Sequence, residues 1–158
     1  MTANVGFAGE YFRKVFYFAH GGSGDSSGID ENNALPMTDA DLMAIPEGTV
    51  VTNVYLFEDT AITGTTDIDV GDDDDADGFI DGSASLNLGT TGMYSWDAKN
   101  AGAYLRIETA GATDAGDIYV VPNAKYYAAS GKEVKVDFTG TSTAGAGRVV
   151  VEGYYLGR

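Results

Sequence analysis

Apolar positions along this chain recur with a period of two far more often than with a helical period. The clearest case is "EVKVDF", where Val134, Val136 and Phe138 fall on one face and Glu133, Lys135 and Asp137 on the other. That is the pattern of a strand with one packed and one wet face. "TVVTNVYLFE", Thr49 to Glu58, is apolar on both faces, which places it centrally in a sheet or at a subunit contact. Further strands are predicted over Arg13–Ala19, Thr66–Gly71, Ala84–Leu88, Ala103–Glu108, Asp117–Val121, Glu133–Thr139 and Arg148–Leu156. Turn residues separate them, and Thr, Val, Tyr and Phe dominate the apolar stretches, as strands prefer. The expected fold is all-β: about eight mostly antiparallel strands in a jelly-roll-like β-sandwich. At most one short helix is expected, in "MTDADLMAIPEG", Met37 to Gly48. Thr38 is its candidate N-cap, and Pro46 stops it after about two turns.

The 158 residues suit one domain, large enough to bury roughly two thirds of its unfolded surface. The expected organisation is an N-terminal arm over residues 1–12 and a single sandwich domain over residues 13–158. The arm carries Phe7, Tyr11 and Phe12. They can pack on a neighbouring subunit or fold back on their own sheet, and the pattern favours neither. His20 to Pro36 reads as a flexible loop, of a length that is often functional or ordered by a partner. "ETAGATDAG" and "TGTSTAGAG" resemble each other, through shared turn chemistry rather than an internal repeat.

Composition narrows the classes. Hydrophobic content of 44% is globular, above what a disordered chain of this charge would carry. Net charge is −15 and uneven, with no Lys or Arg from Val15 to Ala98 but seventeen Asp and Glu. Such a surface repels phosphates, so no nucleic-acid partner is expected. It suits a salty medium that screens the repulsion, consistent with a marine or halophilic source. No stretch is long and apolar enough for a membrane helix, and no signal peptide is readable. The chain reads as a whole, soluble, unprocessed product. Cysteine is absent, which removes disulfides and thiolate metal sites.

No enzyme is legible. The single histidine, His20, opens a Gly-Gly-Ser-Gly loop, and no G-x-S-x-G elbow occurs. A glycine-rich loop without a Walker lysine is a poor phosphate cradle. With twenty-four acids, a pair of facing carboxylates can always be proposed and means little. Glycan binding is the stronger rival, with Tyr94, Trp96 and the pair Tyr126–Tyr127 as candidate stacking platforms. Against it, aromatics at strand ends usually cap a core or fill an interface.

"DVGDDDDADGFIDG", Asp69 to Gly82, packs seven aspartates into fourteen residues. Asp73, Asp75 and Asp77 fit the first, third and fifth ligand positions of a calcium loop, with Gly78 at the turn. Phe79 would supply its carbonyl, and Asp81 would take the ninth position. The twelfth position, a bidentate glutamate in such loops, is Ala84, and no flanking helices are readable. Calcium is therefore the minority reading, with no cofactor expected. The alternative is a strand connection anchored by Phe79 and Ile80, with Asp72 to Asp75 facing water.

The order of segments resembles head decoration, or capsid-stabilising, proteins of tailed phages. The likeness rests on "VFYFAHGG", "IPEGTVVTNVYLFEDTAITGTTDIDVG", "DADGFIDG" and the closing "GKEVKVDFTGTSTAGAGRVVVEGYYL". Members carry a Pro-x-Gly turn before a strand, a Gly-Thr-rich stretch and a D-x-D-G-F turn. This chain departs from them in its longer loop at His20–Pro36 and its extra aspartates at Asp72–Asp75. The resemblance implies a non-enzymatic virion protein made in the host cytoplasm and placed on the outer capsid. Its partners would be the major capsid protein and its own copies, in a homotrimer. Arg13, Lys14 and the basic residues of the C-terminal third would lie nearer the shell, and the acidic Val15–Ala98 region would include the outer side. Two other roles remain open: a calcium-assisted glycan- or receptor-binding module, and a tail or connector component of the same virion.

Overall fold

The computed structural model describes residues 9–20, 40–82, 89–95, 104–110 and 118–156. Phe7, Trp96, the predicted strand Ala84–Leu88 and residues 21–36 of the long loop lie outside them. The described residues form eight strands and no helix: β1 (Glu10–Ala19), β2 (Ala40–Ile45), β3 (Thr49–Asp72), β4 (Gly92–Tyr94), β5 (Arg106–Ala110), β6 (Ile118–Pro122), β7 (Lys125–Tyr127) and β8 (Lys132–Tyr155). All pairings are antiparallel.

Two 24-residue strands, β3 and β8, are the frame. They pair with each other from Thr49 opposite Tyr155 to Asp72 opposite Val134. At one end of this ribbon β1 adds to β8, while β7 and β4 add to β3. At the other end β2 adds to β8, and Ile80 bridges to Val70 of β3. Each long strand joins two segments that the sequence pattern separates. The Gly- and Thr-rich stretches between them look like turns alone, but they pair with one another: Thr60 with Ala146, Thr63 with Ala144, Thr65 with Gly140. Register shifts cluster there, and such bulges bend a strand while keeping its ladder. Gly145 makes the bend possible: its φ is 120°, and a Cβ would collide with the backbone of Ile62.

The bend turns the two halves of the ribbon face to face, giving a β-sandwich-like curled sheet. Phe18 of one half meets Phe138 of the other edge-on, with ring centroids 5.2 Å apart. Val51, Val54 and Leu56 from the first half of β3 share one core with Ile68 and Val70 from the second. The inner row of β8, Val134, Val136 and Phe138, is buried as its alternation requires. Each such side chain contributes on the order of 1.5–3 kcal/mol. Thr49 to Glu58 is central, flanked by β8 on one side and by β7 and β4 on the other.

One element differs in kind from the sequence pattern. The predicted short helix within Met37–Gly48 is the strand β2, paired with Lys132–Val136. A bulge between Asp41 and Met43 turns both Leu42 and Ile45 inward. Their three-residue spacing imitates a helical turn, and pairing with β8 overrides the capping signal of Thr38.

Candidate functional site

The acidic segment after β3 is built around one carboxylate. Asp72, the last residue of β3, is 2% exposed. Its Oδ1 accepts from the backbone N–H of Asp74 at 2.8 Å, the N–H of Asp75 at 3.1 Å and the Tyr104 hydroxyl at 2.9 Å. Its Oδ2 accepts from the Tyr127 hydroxyl at 2.5 Å. Burial pushes this carboxyl up, but the hydrogen bonds from Tyr127, Asp74, Tyr104 and Asp75 outweigh it and hold Asp72 below the usual carboxylate range. Burial first, and then the same bonds to Asp72, push both phenols up. Asp72 therefore does not face water as expected for Asp72–Asp75. The reason is chain geometry: the tight turn brings two backbone N–H groups onto Asp72, and two tyrosines from distant segments close over it.

The expected anchors are in place, with Phe79 and Ile80 fully buried. Both donate their N–H to the carbonyl of Val70. Gly78 lies under the Tyr104 ring, where a Cβ would strike the ring atoms. That contact explains the glycine at position 78.

The remaining aspartates divide into two sets. Asp73 pairs with Lys135 at 2.5 Å and accepts from the Glu133 N–H, and Asp74 pairs with Lys132 at 2.5 Å. Lys135 beside it holds Asp73 below the usual range. On the other flank, burial pushes Asp69 up to about 6, with Asp67, Asp77 and Asp81 adding to it and the Gly82 N–H opposing it. A hydrogen bond with neighbouring Asp75 pushes Asp77 up as well. Of the candidate calcium ligands Asp73, Asp75, Asp77, Phe79 and Asp81, Asp73 is turned to lysine, Asp75 and Asp77 are hydrogen-bonded to each other, and the N–H of Phe79 is bonded to Val70. Among the described residues no three His, Cys, Asp or Glu side chains converge to hold a metal ion.

The second feature is the outer face of the sheet made by β1, β8 and β3. Tyr11, Val15, Tyr17 and Tyr154 are exposed there. Arg13 pairs with Glu152 at 3.2 Å, and Arg148 pairs with Asp59 at 2.9 Å while lying over the Phe57 ring. Charges on this face are balanced in pairs, while unbalanced acid gathers at the other end of the ribbon. Of the predicted interface residues, Tyr11 and Arg13 belong to this outer face and Lys14 is exposed. Phe12 is 6% exposed and stacks on Tyr155 at 4.5 Å. Its ring folds back on its own sheet.

Of the candidate glycan platforms, Tyr126 is 56% exposed, whereas Tyr127 is buried against Asp72. Tyr126 borders a cleft of about 260 Å³ that is also lined by Lys125, Ser130 and Lys132. The Lys125 ammonium sits 3.7 Å from the centre of the Tyr104 ring. His20 hydrogen-bonds Ser142 at 3.1 Å, a structural contact beside the ribbon bend. Sequence patterning missed Asp72 and Tyr104 as partners; the only signal was a tyrosine far along the chain.

No protein-family model matches the chain, and no curated protein matches it. A solved structure does: a chain of the "Cyanophage Pam1 capsid asymmetric unit", with a TM-score of 0.55. The alignment covers 99% of this chain and 92% of that one at 17% sequence identity. The two chains share a fold. The likeness to a phage virion component, expected from segment order, is met at the level of architecture.

Proposed function

We propose that this chain is a non-enzymatic structural protein of a tailed-virus virion, bound to the major capsid protein on the outer capsid and stabilising the shell. The observation that carries this reading is the fold shared, nearly end to end, with a chain of a cyanophage capsid asymmetric unit. Two further features support it. The outer sheet face offers aromatic rings and internally balanced charge, a surface suited to protein contact. The excess acid lies elsewhere, where it keeps assembled particles apart.

The test adds purified protein to undecorated capsids of the encoding virus and images them. Regular density over the shell is the expected result, with three-fold clusters if the chain attaches as a homotrimer. Density confined to the portal vertex would replace decoration with a connector role. Absence of any ordered density would end the capsid reading.

One observation favours a second reading, a glycan-binding module. Exposed Tyr126 stands beside Lys125 and Lys132 at the cleft. Glycan-array binding that is lost in Tyr126→Ala would establish it.

A further inference from the structure

β1 is a ten-residue edge strand. Among the described residues it has β8 on one side and no strand on the other. Its ladder with β8 runs from Glu10 to Ala19 without a register shift. It contains no proline or glycine, so nothing in its backbone blunts the free edge. A long regular edge of this kind is a template for another strand unless side chains prevent it.

The side chains are informative because of where they point. Alternation places Glu10, Phe12, Lys14 and Phe16 on the inner side of β1. Phe12 and Phe16 are buried there, but Glu10 and Lys14 are exposed. Neither has an ion pair among the described residues, and four residues of strand, about 13 Å, keep them from each other. Every other described basic side chain with a stated contact has an acid or a ring: Arg13, Lys125, Lys132, Lys135 and Arg148. An inner-face lysine at an edge blocks indiscriminate pairing. Together with Glu10 it also selects a register.

The geometry points to a two-fold contact in which β1 of one copy pairs antiparallel with β1 of a second copy, centred on Phe12. In that register Glu10 lies opposite Lys14 of the other copy, twice over, and Tyr11 lies opposite Arg13, also twice. Phe12 meets its own counterpart. Strand pairing allows only registers whose two residue numbers sum to an even value, because opposite residues must present the same backbone edge. Centring on Glu10, Arg13 or Lys14 sets like charges directly opposite. Centring on Tyr11, Val15 or Phe16 leaves Glu10 or Lys14 against an apolar residue or without a partner. Only the Phe12-centred register pairs opposite charges, and it joins two net-acidic copies through a strand whose own net charge is +1. The contact is isologous, so it closes on two copies. It would link neighbouring trimers rather than build one, and it is independent of whether the chain binds a capsid.

Sedimentation equilibrium at about 0.15 M salt, where charges more than about 8 Å apart are screened, reads this directly. Such a ladder buries less than the roughly 1,600 Å² of a standard interface, so association in the micromolar to millimolar range is expected. Wild type should contain species with twice as many chains as either Glu10→Lys or Lys14→Glu, each of which should weaken association roughly tenfold or more. Both positions are exposed, so far-ultraviolet circular dichroism and melting should be unchanged. Mixing the two variants should restore the doubled species, as should the double variant E10K/K14E alone. A wild type with no doubled species up to millimolar concentration overturns the contact. Association indifferent to the swaps, or not restored by combining them, overturns it equally.

Discussion

Tyr127 donates its hydroxyl proton to Asp72 at 2.5 Å across 55 residues of chain. This bond ties β7 to the end of β3, and Tyr104 adds a second tie to the same carboxylate. One buried anion thus joins the acidic loop, β3, the segment at Tyr104 and β7.

Removing that anion should be among the costliest single changes in the chain. Asp72→Ala leaves two tyrosine hydroxyls and two backbone N–H groups without their acceptor. A loss of about 3–4 kcal/mol is expected, since hydrogen bonds to a charged group contribute about 1.5–3 kcal/mol each and do not add fully. Tyr127→Phe removes one bond and should cost about 1–3 kcal/mol. Urea denaturation of both variants measures this. Equal stability of Asp72→Ala and wild type would remove Asp72 from its central place.

Stability should peak on the acid side of neutrality. Asp69 titrates at about 6 in the folded chain, against about 3.9 unfolded. Between those values the native state holds a proton that the unfolded state does not, so stability rises as pH falls from 7 toward 4. Asp72 acts oppositely: its folded value is lowered, so its contribution is present above about pH 4 and is lost below it. The melting temperature should therefore be highest near pH 4–5. Asp69→Asn keeps an acceptor for the Gly82 N–H and removes the repulsion. It should gain about 1 kcal/mol at pH 7, after discount for solvent screening, and nothing at pH 4. A gain of equal size at both pH values would count against the assignment.

Glu58 places a carboxyl group in the inner row of β3. It is 3% exposed, and its Oε1 accepts from the N–H of Ile62 at 2.6 Å and of Gly89 at 2.8 Å. Oε2 has no partner among the described residues. Glu58→Gln keeps the working acceptor and should be neutral or stabilising by up to about 1 kcal/mol. Glu58→Ala strands two N–H groups at the ribbon bend and should cost about 2–4 kcal/mol. Thermal melts of the pair decide it: if Gln is as damaging as Ala, the carboxylate's charge matters more than its acceptor.

Millimolar calcium should leave the melting temperature within about a degree of its value in chelator. A site filled at a hundred times its dissociation constant would add about 2.7 kcal/mol, a plain shift. Such a shift, abolished in Asp75→Asn, would restore the loop as a metal site.

Local pattern alone determined the all-β class, the one-sided packing of Glu133–Phe138, the central place of Thr49–Glu58 and the anchoring of the acidic loop by Phe79 and Ile80. Each follows from side-chain alternation or a short apolar pair, which act within a few residues. Only tertiary structure decided that Thr60–Thr65 and Gly140–Ala146 continue two long strands instead of ending four short ones. Glycine and threonine there are read as turns until a complementary stretch 80 residues away pairs with them. It also made Ala40–Ile45 a strand, because β8 supplied hydrogen bonds that a two-turn helix could not match. Likewise, Asp72 is indistinguishable in sequence from Asp73, Asp74 and Asp75. What singles it out is burial beneath Tyr104 and Tyr127, contacts that no local spacing encodes.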